Sequence, residues 1–482
     1  MTRRVAPTPS ARSRHARRAL HNTSLQGLAQ AWYLLLRVVY VVVFARLLGV
    51  EAYGHYNYAQ TWYLIVLSVA GWGTHEWLLS RWQRVDSWRR QALLDTGLSL
   101  RILLGGAGTL LVLLCARFLE PDARLQWLIV IYAQGVLLRS LTAWFQALFT
   151  SHERSELVLY TSVPISLLEV ALVLGLAWSG QELPVIALAQ TACWWLGLAI
   201  AWLTYRGKLG ALRPRFQPEV AREFLIGGAL LASASALLAW MGPGMLVAVR
   251  HLLGEGPPLG EAAFVMQVVL MLGQALRMIS NAALPFLTRP GSDITHRQRG
   301  FATRSWYLTL YLGSAGYLLG TVIAPALVRG LLGEPFEPAG LLLARFSWIL
   351  IPLCLIQTLR LLLIGRGLYR TFLLSLILGA LALALALVIC TLSGRVSLDI
   401  LFASLGLAYS TSVGIMLWAL SRIGVSLLPG TLGRSLLICA ASLSLGLGFW
   451  PGVPPVAATW SSIGLLLLAT LCQWRRQAAA VP

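Results

Sequence analysis

FARLLGVEAYGHYNYAQTWY, residues 44–63, contains a sharp break between two long apolar runs. The first run ends at RLLG, residues 46–49, and a short polar hinge precedes the second run. VRHLLGEGPPLGEAAFVMQ, residues 249–267, repeats the same order: an arginine, Leu-Leu-Gly, an acidic residue, and a glycine that opens the next apolar run. Two similar corners in one chain predict an internally duplicated structure.

The composition is typical of a protein that crosses a membrane many times. Of the 482 residues, 57% are hydrophobic and only 12% are charged, and the mean hydropathy is +0.72. Soluble domains carry about 25% charged residues. Apolar runs of about 20 residues recur along the chain, and each can cross the ~30 Å hydrocarbon core of a bilayer. The sequence therefore predicts an all-α integral membrane protein.

Hydropathy predicts about fourteen transmembrane helices, at residues 25–48, 57–80, 98–118, 126–148, 157–178, 183–205, 225–249, 262–288, 306–328, 341–363, 371–392, 398–420, 432–449 and 454–473. Lys and Arg gather in the cytoplasmic connections of such proteins. With the N-terminus inside, 26 of the 38 Lys and Arg residues lie in the tails and inner connections, six in outer connections and six within spans. This distribution predicts a multi-pass protein of the bacterial inner (plasma) membrane with both termini in the cytoplasm.

The same distribution accounts for the net charge of +20 without a nucleic-acid partner. No loop carries a zinc-finger spacing or an RNA-binding signature, so we expect no nucleic-acid binding. The first 22 residues hold six arginines but lack the apolar region and cleavage site of a signal peptide. We therefore predict a retained, disordered cytoplasmic tail over residues 1–24.

Six predicted spans separate the two corners, so both copies have the same orientation in the membrane. Parallel repeats of this kind occur in transporters, which bind cargo near the bilayer midplane between the repeats. The duplication predicts two six-helix lobes and two extra C-terminal helices. The expected divisions are a basic tail at 1–24, an N-lobe at 25–205, a cytoplasmic linker at 206–224, a C-lobe at 225–420, and spans 13 and 14 with a cytoplasmic tail at 421–482.

The corner ARLLGVEAYGHYNYAQ resembles the signature A-R-x-L-G-x-x-x-Y-G-x-(Y/F)-x-x-A of the polysaccharide/O-antigen flippases. This family belongs to the multidrug/oligosaccharidyl-lipid/polysaccharide exporter superfamily. Similar segments are GWGTHEWLLSR (71–81), GLLGEPFEPAGLLLAR (330–345) and LLLIGRGLYRTFLLSLILGA (361–380). The resemblance covers residues 25–420. The sequence departs from the family pattern in span 11, which has no Asn, and in span 12, which reads ILFASLGLAYSTSVGIM where the family often has a Gly-Ala-Ala run.

The resemblance implies a two-lobed carrier that moves undecaprenyl-pyrophosphate-linked sugars from the inner to the outer leaflet. The product would serve a lipopolysaccharide or an exopolysaccharide. The implied partners are the lipid-linked oligosaccharide, membrane lipids, and a polysaccharide polymerase with its chain-length machinery. No cofactor is implied.

Arginines inside the predicted spans are the candidate substrate-binding residues. A charged side chain at a helix centre costs at least ~2.5–3.5 kcal/mol, so each should face a cavity or a partner. The planar guanidinium group matches phosphate oxygens bidentately. Arg37 in span 1 and Arg277 in span 8 resemble by position the cavity arginines of the related lipid II flippases. Arg139 in span 4 either binds cargo or pairs with Glu169 in span 5.

Other polar positions carry weaker signals. His75 and Glu76, toward the inner end of span 2, are candidates for coupling transport to an ion gradient, although such a pair is often simply hydrated. Arg345 is expected to reach the membrane interface. The six cysteines all fall within apolar runs and lack metal-binding spacing, so they are interpreted as small buried hydrophobes: Cys115, Cys193, Cys354, Cys390, Cys439 and Cys472.

Three alternatives remain open at the level of sequence. A lipid II flippase would have the same spans. A multidrug or cation antiporter of the same superfamily would favour more acidic residues at membrane depth. A membrane polymerase or ligase would carry a long outer loop with catalytic His and Arg, which the predicted outer connections are too short to hold. We therefore expect a transporter and not an enzyme.

Overall fold

The computed structural model describes the backbone of residues 9–74, 77–78, 82, 87–287 and 294–422. Side chains are described over most of this backbone, from residue 32 onward and with the main interruption at 275–305. The described residues contain helices and no β-strand. The helices are α1 (Pro9–Ala70), α2 (Ser87–Leu119), α3 (Ala123–Ala133), α4 (Gly135–Ser151), α5 (Ser155–Trp178), α6 (Leu183–Lys208), α7 (Pro218–Met241), α8 (Met245–Leu253), α9 (Pro257–Leu287), α10 (Ile294–Leu332), α11 (Glu337–Phe346), α12 (Leu350–Gly365), α13 (Tyr369–Leu392) and α14 (Leu398–Arg422).

The chain is a multi-pass membrane protein. Nine helical stretches in the described part are long and apolar enough to span a bilayer, from Arg89–Leu119 to Leu398–Arg422. Each of the first twelve predicted spans overlaps a helix or a pair of short helices. Spans 13 and 14 lie outside the described residues. The count of fourteen and the arrangement of the lobes therefore stay predictions.

Three corners share one backbone conformation. Gly49 has φ 76° and ψ 173°, Gly254 has φ 83° and ψ −157°, and Gly333 has φ 92° and ψ 177°. Each glycine follows Leu-Leu, and each ends one helical run just before the next. Residues with a side chain rarely adopt positive φ, whereas glycine does so freely. The repeated Leu-Leu-Gly pattern is thus a repeated structural corner.

The N-terminal segment differs from the prediction of a disordered tail. Helix α1 begins at Pro9, so residues 9–24 are helical. The segment contains four arginines and three alanines, which have high helix propensity. It also leads directly into the first apolar run, so no new helix nucleus is required.

Contacts divide the chain into two compact units, Met1–Ala263 (unit 1) and Phe264–Pro482 (unit 2). In unit 1, α1 is the central helix and packs against α2, α3, α4, α5, α7 and α8. In unit 2, α12 packs against α10, α13 and α14, and most residues of its core segment are buried. Helices α13 and α14 approach closely at Gly379, where a Cβ atom would lie 2.1 Å from Ser412 Oγ.

Two of the corners meet inside unit 1. A Cβ atom on Gly54 would lie 2.7 Å from the backbone nitrogen of Gly260. A Cβ atom on Gly260 would lie 1.9 Å from the carbonyl oxygen of Val50. The helix that follows the first corner therefore touches the helix that follows the second corner, backbone to backbone. Only glycine allows this approach.

Candidate functional site

A buried polar network joins four helices of unit 1 around Gln190, which lies on α6 and is 5% exposed. Gln190 Oε1 accepts hydrogen bonds from Tyr56 Oη at 2.7 Å, Tyr132 Oη at 2.8 Å and Gln60 Nε2 at 3.0 Å. The hydroxyl of Tyr40 bonds to that of Tyr56. Three donors on one oxygen fix the orientation of the Gln190 amide, so its NH₂ group is directed away from them.

That NH₂ group donates to Glu169. Gln190 Nε2 lies 2.8 Å from Glu169 Oε1, and Trp194 Nε1 donates to the same oxygen at 3.2 Å. The guanidinium of Arg139 lies over the Trp194 ring, 5.5 Å from its centroid. A cation above an indole ring is attracted to its negative face. The structure thus brings Arg139 and Glu169, two predicted site residues, together on Trp194.

The other two predicted arginines are placed differently. Arg37 is half-buried on α1, within electrostatic range of the Tyr53 hydroxyl. It precedes Tyr40 by one helical turn, so α1 carries Arg37 close to the Gln190 network. Arg277 lies on α9, and its side chain is outside the described residues. Cargo binding by Arg37 and Arg277 therefore stays a prediction.

His75 and Glu76 lie outside the described residues, so the ion-coupling prediction is untested. The segment just before them is a helix break. Trp72 has φ 43° and Gly73 has φ 59°, and Trp72 Nε1 donates to the carbonyl of Leu225 on α7 at 2.9 Å. The predicted second span extends to residue 80, but α1 ends at Ala70. Of the two positive φ angles in this turn, the one at Gly73 is the one that glycine adopts freely.

An ion pair that sequence analysis missed lies at the predicted outer end of unit 1. Arg250 Nη2 lies 2.9 Å from Glu120 Oε1, and the side chains are 10% and 0% exposed. Tyr58 donates to Glu120 Oε2 at 2.7 Å, and Glu255 also contacts Arg250. Arg250 follows the predicted seventh span directly, so hydropathy alone places it in an outer connection. We call Tyr58, Glu120, Arg250 and Glu255 the outer ion cluster.

A sequence motif predicts one pair of this cluster, Arg250 with Glu255. Arg-x-Leu-Leu-Gly-Glu occurs at 250–255 and again at 329–334. In both copies the arginine pairs with the glutamate five residues later, and the Arg329–Glu334 distance is 3.4 Å. The second copy is exposed, with 57% of the Arg329 side chain open. The motif predicts the local pair, whereas Glu120 is added by the fold.

Two further arginines inside predicted spans have structural contacts. Arg101 on α2 is 3% exposed and donates to Thr74 Oγ1 at 2.8 Å and Ser140 Oγ at 3.2 Å. Arg345 pairs with Asp399 at 2.8 Å, and its side chain is 59% exposed. The expected position of Arg345 at the membrane interface stays a prediction. Among the described residues, no group of three His, Cys, Asp or Glu could hold a metal ion.

Comparison with known families shows to which family the chain belongs. The sequence model of a family described as polysaccharide biosynthesis protein matches residues 19–289, more than half of the 482 residues. The chain belongs to this family. The matched range includes Arg37, Arg139, Glu169 and Arg277. A comparison with curated protein sequences finds no match.

Solved structures show which fold this family member adopts. The lipid II flippase MurJ, in an inward closed conformation, has a TM-score of 0.68 at 11% identity, with 94% of this chain and 99% of that chain covered. An inward-facing MATE-family multidrug resistance transporter of the MOP superfamily has a TM-score of 0.63 at 11% identity, covering 82% and 94%. A MOP-superfamily transporter from Pyrococcus furiosus has a TM-score of 0.58 at 14% identity, covering 84% and 95%. The polysaccharide biosynthesis protein therefore has the fold of this transporter superfamily.

Proposed function

We propose that the chain moves an oligosaccharide linked to undecaprenyl pyrophosphate from the inner to the outer leaflet of the bacterial inner membrane, by alternating access between two lobes. The observation that carries the proposal is the match to the polysaccharide biosynthesis family in a chain with a transporter fold. The function is transport for cell-surface polysaccharide assembly. Both termini face the cytoplasm, and a polymerase takes up the product on the outer side.

The cargo chemistry follows from the charges at membrane depth. Arg37 and Arg139 are half-buried on α1 and α4, and part of each side chain stays open. Guanidinium groups bind phosphate oxygens through paired, charge-assisted hydrogen bonds. Arg37 and Arg277 are the proposed pyrophosphate-binding residues, while Arg139 and Glu169 form a compensated pair on Trp194 that lines the cargo path. The lipid tail stays in the bilayer beside the protein.

The membrane potential supplies the driving force. An anion that leaves a negative cytoplasm gains about 2.3 kcal/mol per charge per 100 mV. A diphosphate carries up to about two charges across, so its gain is about 4–5 kcal/mol per 100 mV. The sequence contains no GxxxxGK[ST] phosphate-binding loop that would indicate ATP hydrolysis.

Removal of either cargo arginine is expected to slow transport strongly. Arg37→Ala and Arg277→Ala should each lower the flipping rate about tenfold or more, because a hydrogen bond to a charged group contributes about 1.5–3 kcal/mol. The measurement is flipping of a fluorescent undecaprenyl-pyrophosphate oligosaccharide in proteoliposomes. Arg117→Ala is the control, because Arg117 is exposed at the end of α2. Full rates in both cargo variants would rule out this binding site.

The same proteoliposomes separate the proposal from its alternatives. Lipid II offered in place of the oligosaccharide lipid should move slowly or not at all. A cationic dye should not accumulate against a proton gradient. Faster movement of lipid II would show that the chain is a lipid II flippase. Dye transport would show that it is a multidrug antiporter.

A further inference from the structure

The end of α6, the start of α7 and the connection between them form a fixed, strongly basic segment, which we call the basic strap (residues 206–222). It carries five cationic side chains, all exposed, against one exposed carboxylate, that of Glu219. The five are Arg206, Lys208, Arg213, Arg215 and Arg222. Such a cluster between two membrane spans lies at the height of lipid headgroups. The predicted topology places it on the cytoplasmic side.

The strap is held in place by unit 1. The backbone nitrogen of Arg213 donates to Asp95 Oδ1 at 3.0 Å, and that of Gln217 donates to Thr96 Oγ1 at 3.4 Å. Gln91 Nε2 bonds to the same Asp95 oxygen at 3.0 Å and to the carbonyl of Ala211 at 3.3 Å. A solvated loop that only followed the positive-inside rule would need none of these bonds.

Two leucines of the strap also attach it to the core of unit 1. Leu209 and Leu212 pack against the aromatic core at this end of unit 1, which includes Trp144, Tyr205 and Phe224. Because the leucines point inward, the charged residues beside them project outward. Asp95 and the aromatic core therefore fix the position of the backbone that carries the basic side chains.

Aromatic side chains flank the basic ones. Trp202 is 44% exposed, and Arg206 lies over its ring at 5.7 Å from the centroid. Phe216 is 51% exposed beside Arg215. Exposed aromatic rings next to arginines are typical of the interface between the hydrocarbon core and the headgroups. Basic clusters beside a membrane span attract anionic lipids.

We infer that the basic strap is a binding site for the headgroups of anionic glycerophospholipids, such as phosphatidylglycerol, of the leaflet it faces. The site includes none of the proposed cargo arginines, and the inference does not depend on the identity of the cargo. The affinity for anionic headgroups depends on the fixed positions of the basic side chains, and not only on their number.

Native mass spectrometry of the full-length chain tests the inference, with equal amounts of phosphatidylglycerol and phosphatidylcholine added in detergent. The wild-type chain should retain phosphatidylglycerol about tenfold over phosphatidylcholine. The double variant Arg213→Gln/Arg215→Gln should lose most of this preference. Arg366→Gln/Arg370→Gln, which removes two exposed charges from another predicted inner connection, should keep it.

Asp95→Ala separates geometry from charge. It removes a negative charge, so diffuse attraction to anionic lipid would increase, whereas loss of the strap's anchor should lower retention at least threefold. Asp95→Asn, which keeps an oxygen acceptor, should retain more lipid than Asp95→Ala. An unchanged melting temperature of the folded chain shows that the loss is local.

Three results would overturn the inference. Equal losses in the Arg213/Arg215 and Arg366/Arg370 pairs, or greater retention in Asp95→Ala, would show that charge alone attracts the lipid. Preferential retention of added undecaprenyl pyrophosphate over phosphatidylglycerol would make the strap a cargo-loading surface instead. None of these results depends on whether the chain flips its proposed cargo.

Discussion

Replacing Arg250 with alanine is expected to destabilise the folded chain by about 3–5 kcal/mol, because it leaves a buried carboxylate without its counter-charge. The carboxylate is that of Glu120, whose side chain is fully buried and 2.9 Å from Arg250. The measurement is unfolding of the purified protein in detergent, followed by tryptophan fluorescence. The melting temperature should fall by several degrees, and transport should fall with it.

The chain contains a matched control for this variant. Arg329 occupies the same place in the second Arg-x-Leu-Leu-Gly-Glu motif, and its nearest glutamates lie 3.4 and 3.7 Å away. It is mostly exposed, and pairs between exposed charges contribute about 0–1 kcal/mol. Arg329→Ala should therefore change the melting temperature little. Equal losses in Arg250→Ala and Arg329→Ala would contradict the assignment of the stabilisation to burial at Glu120.

A double variant tests the cause further. Glu120→Gln/Arg250→Met removes both charges together and keeps an acceptor for the Tyr58 hydroxyl. Replacement of a buried ion pair by residues of similar volume is often close to neutral. The double variant should therefore be markedly more stable than Arg250→Ala.

Replacing Gly260 with alanine should also disrupt unit 1. The new methyl group would lie 1.9 Å from the carbonyl oxygen of Val50 and 2.6 Å from its Cγ1 atom. The first contact is with backbone, so it is relieved only if the two corners separate. Overpacking of this kind costs about 1–3 kcal/mol and occasionally more. The expected result is a lower melting temperature and a lower yield of folded protein.

Gly175→Ala is the matched control, and we expect it not to lower the stability of the chain. Gly175 is exposed on α5, and a Cβ atom there would meet nothing within 4 Å. Alanine in a helix interior is favoured over glycine by about 0.5–1 kcal/mol, so this variant should be as stable as the wild type or slightly more. If Gly260→Ala behaves in the same way, the two corners are not in contact.

The local features of the fold were predictable from the sequence. Leu-Leu-Gly followed by an acidic residue marked the corners at Gly49 and Gly254, because positive φ excludes most other residues there. Hydropathy located the apolar segments, but it could not detect breaks inside them. The structure interrupts the predicted fourth span at Gln134 and the predicted seventh span at 242–244. The second break reads Gly-Pro-Gly, a turn signal that an average of hydropathy over a whole span does not register.

The contacts between distant segments were not predictable. Glu120 and Arg250 are 130 positions apart, and each occurs in a segment with the composition of an outer loop. Gln190 was not singled out, because a glutamine in an apolar span is equally typical of a helix–helix hydrogen bond. Only its three converging donors identify it as the centre of a network. The sequence predicted that Arg139 either binds cargo or pairs with Glu169, and the contact of both residues with Trp194 became evident only from the fold.

The most direct measurement of the central claim is flipping by the wild-type protein of two labelled lipids that carry the same oligosaccharide. One is linked through undecaprenyl pyrophosphate and the other through an uncharged undecaprenyl linkage. Under an imposed potential, negative on the loading side, the pyrophosphate form should cross much faster than in protein-free vesicles, and reversal of the potential should slow it. The uncharged form should move slowly and without response to the potential. Equal, potential-independent rates for the two lipids, or no protein-dependent movement of either, would contradict the account.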